Sequence, residues 1–370
     1  MKRAVLLFSL CLGACGGAAA PAAVDAAAVL DVTVSDTASP DAAPDVAPDA
    51  AADGATSDAP VDAAADTAAD AAPDSGVAAT AGLTADFRAW LVAHQYDVAD
   101  LARDDLIGGS FGGRAHAGEA IPHDPVIFIH GNSDKALGTA VGQTGWTASR
   151  AWFAQHGYTD AELYATTWGP ADAAQAAQQD HSRKNIQHLR AFVEAVLAYT
   201  GAQKVDIVAH SMGVTLARKV VLGGSANDPG DGGAYAVGAP LTDHVDAFVG
   251  IAGANLGLTS CFLTGPTTPT CSATNGLYPG TLLGVTVAGR SAYLTDLLQT
   301  SGYEGGFRCA LWSTVDEIIG YADIVYGQPT SRLPGQTAEV TFATAPYGHF
   351  GLKDLTADVQ LALVRDHQTP

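Results

Sequence analysis

Ser211 stands in Ala209-His210-Ser211-Met212-Gly213, between the apolar run Val205, Ile207, Val208 and a stretch with helical spacing at Val214, Ala217, Val220 and Val221. A strand, a sharp turn carrying a serine, then a helix is the setting in which a hydroxyl becomes a nucleophile. The turn is tight, so the residues beside the serine must be small. Gly213 meets that need, and Ala209 replaces a first glycine at the cost of one methyl. The helix N-terminus beneath Ser211 favours negative charge developing on an attacked carbonyl. The competing reading is an ordinary serine in a strand-to-helix loop. Strand, helix and small neighbours together favour the nucleophile.

A serine nucleophile needs a base, and the base needs a group to orient it. With this motif the acid and then the histidine follow the serine in the chain. After residue 300 the histidines are His349 and His367, and His367 lies almost at the chain end. Tyr347-Gly348-His349-Phe350-Gly351 predicts a mobile imidazole in a glycine-flanked loop after a strand. His349 should take the proton from Ser211 and later give it to a leaving alcohol. Asp316 follows the strand Cys309 to Ser313 and is the leading acid; Glu317 and Asp323 are neighbouring candidates and Asp296 a more distant one. Upstream, the apolar Pro125 to Ile129 runs into His130-Gly131-Asn132. Gly131 lets the backbone turn closely, so that the Asn132 amide can point into the site. His130 and His210 sit at strand ends and are read as structural.

The elements around these residues alternate. Helices are predicted over Thr84 to His94, Thr147 to His156 and Ser182 to Tyr199, the last stopped by Gly201. Strands are predicted near Glu162 to Thr167, Asp246 to Ala252, Cys309 to Ser313 and Glu339 to Ala343. Gly108 to Gly118 reads as a glycine-rich loop that lacks a phosphate-binding pattern. Alternation of this kind predicts an α/β fold with one doubly wound, mostly parallel sheet and the site at the strands' C-terminal ends.

Composition divides the chain. Lys2 and Arg3 precede an apolar run to Leu12, ending in Leu12-Gly13-Ala14-Cys15. This is an export signal, and its last four residues resemble the lipobox of bacterial lipoproteins, which implies cleavage before Cys15 and its lipidation. A plain secretory signal is the alternative. Residues 16–80 hold twelve aspartates and no lysine or arginine, with prolines at 40, 44, 48, 60 and 73 and no aromatic residue to build a core. They read as a disordered linker or stalk, leaving residues 81–370 as the catalytic domain. The chain carries −21, and the part beyond the stalk remains acidic, which argues against nucleic acid as a partner. The expected place is outside the cell, held at a membrane through the N-terminal lipid alone.

The stretches PVIFIHGN, HGYTDAELYATTWG, AYTGAQKVDIVAHSMGVT, GIAGANLGLTSC, STVDEII and YGHFGL jointly resemble the class 2 lipase family of α/β-hydrolases, including Bacillus-type lipases and related extracellular polyhydroxybutyrate depolymerases. The resemblance implies an α/β-hydrolase fold and a Ser211, Asp316, His349 triad. It also implies an oxyanion hole from the Asn132 and Met212 amides and a disulfide between Cys261 and Cys271. Closing so short a loop contributes about 2–3 kcal/mol at most on the chain-entropy model. Cys309 is left odd and reads as a buried apolar residue; the cysteine spacing does not suit a metal site. The expected activity is cofactor-free hydrolysis of a carboxylic ester, as by a lipase or an esterase, with short-chain soluble esters also open. Depolymerisation of a polyester is the alternative, and a non-catalytic surface lipoprotein a distant one. The Asn255 to Gly289 segment, with Phe262 and Tyr278, is expected to read the acyl chain.

Overall fold

The computed structural model describes residues 82–369. The expected signal peptide over 1–15, the expected lipidation of Cys15 and the expected linker over 16–80 lie outside the described residues. Eight strands form one sheet: β1 (Gly82–Leu83), β2 (Ser110–Gly112), β3 (Val126–Ile129), β4 (Leu163–Thr166), β5 (Val205–His210), β6 (Val245–Ile251), β7 (Phe307–Ser313) and β8 (Ala338–Phe342). Their spatial order is β1-β2-β4-β3-β5-β6-β7-β8. Every neighbouring pair is parallel except β2 with β4. The glycine-rich run at 108–118 is therefore not wholly loop. Ser110 and Phe111 pair with Thr166 and Ala165. At Gly112 a Cβ would lie 2.6 Å from both the Leu163 carbonyl oxygen and the Tyr164 ring, so the glycine permits this close approach.

The helices are α1 (Ala85–Ala93), α2 (Val98–Ala102), α3 (Thr147–Gln155), α4 (Arg183–Thr200), α5 (Met212–Leu222), α6 (Thr259–Thr264), α7 (Ala292–Leu297), α8 (His349–Asp354) and α9 (Ala357–Arg365). Both faces of the sheet are covered, which is why its central strands read as unbroken apolar runs. Side chains alternate across it: Val205, Ile207 and Ala209 face the core shared with α1, α4, α5 and α7, while Val208 faces the core shared with α3 and α9. Gly201 closes α4 in the left-handed conformation at φ 73°, as a helix stop requires.

The helix behind Ser211 is tied in place. Arg218 of α5 and Glu304 are fully buried and 2.9 Å apart, and Arg218 also donates to Asn255 Oδ1 and the Leu297 carbonyl at 3.0 Å each. Removing one member of such a pair costs about 3–5 kcal/mol. Cys261 and Cys271 are disulfide-bonded, and Cys309 is a free, buried thiol. Among the described residues no helix is long and apolar enough to cross a membrane.

Candidate active site

β5 ends at His210, and the chain reverses into α5 through Ser211 at φ 56°, ψ −129°. A non-glycine residue in that region costs about 1–3 kcal/mol and persists only where its surroundings over-determine it. Here they do. The Ser211 amide donates to the Ile251 carbonyl of β6 at 2.8 Å, and the Ser211 carbonyl accepts from Val214 at 3.0 Å. A Cβ on Gly213 would fall 2.3 Å from the His130 carbonyl oxygen, and one on Gly131 would fall 2.8 Å from the Ser211 Cβ. Gly213 is dictated by backbone packed against backbone, and Gly131 by the close approach of the Ser211 and His210 side chains.

His349 reaches the same cavity in another way. It is the first residue of α8 and is buried, so the mobile glycine-flanked loop expected there is instead a fixed helix start. Three side chains hold it. Its Nδ1 donates to Asp316 Oδ2 at 2.8 Å, its amide donates to Glu317 Oε2 at 2.8 Å, and its carbonyl accepts from His210 Nε2 at 3.1 Å. Asp316 is itself fixed, because its Oδ1 accepts the amides of Ile318 at 2.9 Å and Ile319 at 2.7 Å. With Nδ1–H on the carboxylate, Nε2 of a neutral ring is left with the lone pair a general base needs. The other acids are elsewhere. Asp323 bonds the amide and hydroxyl of Ser331, and Asp296 pairs with Lys219 at 2.7 Å.

His130 and His210 are buried among packed groups. Burial holds His130 down to about 4; its Nδ1 donates to the Gly131 carbonyl at 2.7 Å and its Nε2 accepts from the Trp168 amide at 3.1 Å. Burial, with the nearby His349 and Lys353, holds His210 well below the usual imidazole range. Neither ring pairs with a carboxylate among the described residues. The Asn132 side chain donates to the Ala176 carbonyl at 2.9 Å and accepts from the Ser133 hydroxyl at 3.0 Å. Among the described residues the backbone amides of Asn132 and Met212 have no acceptor. Met212 follows Ser211 directly in the chain, and Asn132 lines the same cavity as Ser211.

Ser211, His210 and His349 open on a cavity of 410 Å³, walled by Gly131, Asn132, Val141, Ala173, Ala176, Ile318 and Phe350 among others. Residues 123–362 match the family described as lipase (class 2). The chain belongs to the class 2 lipase family. Membership places it among proteins with the α/β-hydrolase fold. Solved structures similar to it include Aspergillus fumigatus lipase B, at 15% identity and a TM-score of 0.46, covering 71% of this chain and 57% of that one. Lipase BlEst2 of Bacillus licheniformis in its mature form is similar at 13% identity and a TM-score of 0.45, covering 70% and 98%. Mouse alpha/beta hydrolase domain-containing protein 10 follows at 14% identity and a TM-score of 0.38, covering 70% and 93%. The chain thus spans little more than half the length of the first of these relatives.

The roles of two residues of the site were not legible in the sequence. Glu317 was a rival for the acid's place and instead holds the backbone of His349. Lys353, fully buried, donates to Thr144 Oγ1 at 2.7 Å, to Asp354 at 2.5 Å and to the Gly145 carbonyl, and lies 3.6 Å from Asp134. It ties α8 to the segment after Asn132. A lysine four residues beyond a histidine gives no sign of this, because Thr144 and Gly145 lie some 200 residues upstream. The 255–289 segment supplies no lining residue to the Ser211 cavity, contrary to expectation. Its Thr270 braces the cavity wall from behind, donating to the Ala176 carbonyl at 2.7 Å, while Phe262 is exposed and meets Tyr326 edge-on at 5.9 Å.

Proposed function

We propose that Ser211, His349 and Asp316 form the triad of a serine carboxylic-ester hydrolase that acts on a water-insoluble ester. The Asp316–His349 bond, with His349 and the strained Ser211 on one cavity, carries the reading. The Ser211 hydroxyl oxygen attacks the ester carbonyl carbon as His349 Nε2 takes its proton. The carbonyl oxygen becomes an oxyanion held by the Asn132 and Met212 amides. The intermediate collapses, His349 hands its proton to the departing alkoxide, and an acyl-Ser211 ester remains. Water, deprotonated by the same nitrogen, then releases the acid and restores the serine. Asp316 keeps the proton on Nδ1 and stabilises the imidazolium without taking the proton itself.

Val141, fully exposed, and Ile318, about half exposed at 49%, stand at the cavity rim. Apolar side chains there suit an acyl or polyester chain, and acyl discrimination is assigned to Ile318 and Phe350 in place of the 255–289 segment. Export and anchoring through Cys15 complete the proposal; a Cys15→Ala protein should move from the detergent to the aqueous phase. The enzymatic reading is tested with p-nitrophenyl esters from C2 to C16, triolein and amorphous polyhydroxybutyrate. Turnover should fall by on the order of 10⁴ to 10⁶ in Ser211→Ala and His349→Ala, since a triad acts as a unit. A folded variant of either kind that keeps a tenth of the activity overturns the assignment.

A further inference from the structure

Residues 281–283 and 286–288 pair as a short antiparallel ribbon. With the chain at 324–334 it encloses a second groove of 760 Å³, within the range that holds small ligands, about 300–1,000 Å³. This groove shares no lining residue with the Ser211 cavity. Its wall is apolar, formed by Leu256, Leu282, Val285, Val287, Leu298 and Leu333. Val285 is fully exposed and Leu282 partly so.

The charge in the groove runs against the rest of the chain. Acidic residues outnumber basic ones 39 to 18, yet the lining holds Arg290 and Arg332 and neither Asp nor Glu. Arg332 is engaged by Glu339 at 2.8 Å. Arg290 is different. Among the described residues its guanidinium has no carboxylate and no hydrogen-bond acceptor, and its Nε is buried without a partner. Burial pushes this guanidinium below the usual arginine range. A half-buried cation in an apolar trough costs stability unless an anion meets it. The anion that fits must also bring apolar surface.

We propose that this groove binds a long-chain fatty-acid anion, with its carboxylate on Arg290 and its chain along Leu282, Val285, Val287 and Leu298. That such an acid is also the product of hydrolysis rests on the ester-hydrolase reading; its binding here does not. The site gives the protein a hold on acyl material separate from the cavity in which the ester would be cut.

Dodecanoate titrated calorimetrically into the full chain tests this, with hydrolysis of p-nitrophenyl acetate followed on the same samples. One saturable site is expected. Arg290→Gln should weaken dodecanoate at least about tenfold, the scale of a lost charge-assisted bond, and leave dodecanol binding unchanged. Val287→Glu should weaken both ligands. Neither variant should alter acetate ester hydrolysis, which reports an intact fold and an intact Ser211 cavity. The proposal is overturned if the wild-type chain shows no saturable dodecanoate binding. It is equally overturned if Arg290→Gln binds dodecanoate as tightly as wild type, or if Val287→Glu does. Loss of ester hydrolysis with dodecanoate binding intact would bear on the catalytic reading and leave this one standing.

Discussion

The turn that carries Ser211 and the turn that carries His349 open on one cavity but are built differently. The conformation of Ser211 is set by its own turn, with β5, the strained dihedrals, Gly213 and the start of α5 within a few residues of it, and Ile251 and His130 only pack backbone against that turn. His349 is placed from afar, with Asp316 on its ring, Glu317 on its amide and His210 on its carbonyl. A nucleophile needs a fixed exposed oxygen, which backbone strain can supply locally. A base must match a proton donor and a carboxylate at once, which takes several elements. The serine turn should therefore fail through sterics and the histidine turn through lost hydrogen bonds.

The sharpest break is expected on the serine side. Gly213→Ala would put a methyl 2.3 Å from the His130 carbonyl oxygen and 2.8 Å from that of Ile129. Backbone on both sides leaves little room to yield, so the turn must open, with loss of about 1–3 kcal/mol of stability. Esterase assays should show activity falling more than about a hundredfold, since a displacement near 1 Å costs that much. A fully active, stable Gly213→Ala protein would show that the turn is not set by this contact. On the histidine side the loss should be graded. Glu317→Ala should lower kcat about tenfold with KM and melting temperature nearly unchanged, because Glu317 is exposed and holds only the His349 amide. Glu317→Gln keeps an acceptor and should recover most of the rate. If Ala and Gln variants behave alike, the Glu317 bond does not position the base.

The same contrast explains how much could be read beforehand. The Ser211 turn, α1, α4, α5 and the apolar strands were legible because each rests on a local pattern of period, cap or small residue. Asp316 could be ranked above Glu317 and Asp323 but not proved against them, since all three lie in the stretch that follows one strand end. Which carboxylate meets the imidazole depends on how Ile318 and Ile319 turn their amides onto Asp316, a tertiary matter. His349 looked mobile because its glycines suggest a loop; Gly348 is in fact small because a Cβ there would lie 2.1 Å from Glu317 Oε2. β2 was hidden because glycine is a poor strand former, and close packing on Leu163 and Tyr164 outweighed that. The 255–289 side chains were counted correctly as too apolar for a solvent loop, but spacing alone does not say which cavity they face.

The smallest expected effect concerns Asp323, in the segment that follows Asp316. Burial raises its carboxyl from 3.8 to about 7, in spite of its bonds to Ser331. Between those values the native state holds a proton that the unfolded chain has released. The contribution to stability is thus full below about pH 4 and is lost as pH rises through 7. The buried His130 and His181, held down to about 4, act with the opposite sign: their contribution is present above 6.5 and lost as pH falls through 4. Asp323→Asn isolates the carboxyl. Its melting temperature should improve relative to wild type on going from pH 5 to pH 8, and a difference independent of pH would rule the buried proton out.

Covalent capture of Ser211 tests the central claim most directly. The full chain is treated with a fluorophosphonate and examined by intact mass and peptide mapping, beside Ser211→Ala and Asp316→Asn. The account predicts one adduct, on Ser211, formed at the rate at which ester hydrolysis is lost. It predicts no adduct in Ser211→Ala and much slower labelling in Asp316→Asn, where the imidazole is no longer held for proton transfer. Undiminished labelling of Ser211→Ala, or ester turnover that survives complete labelling of Ser211, would contradict it.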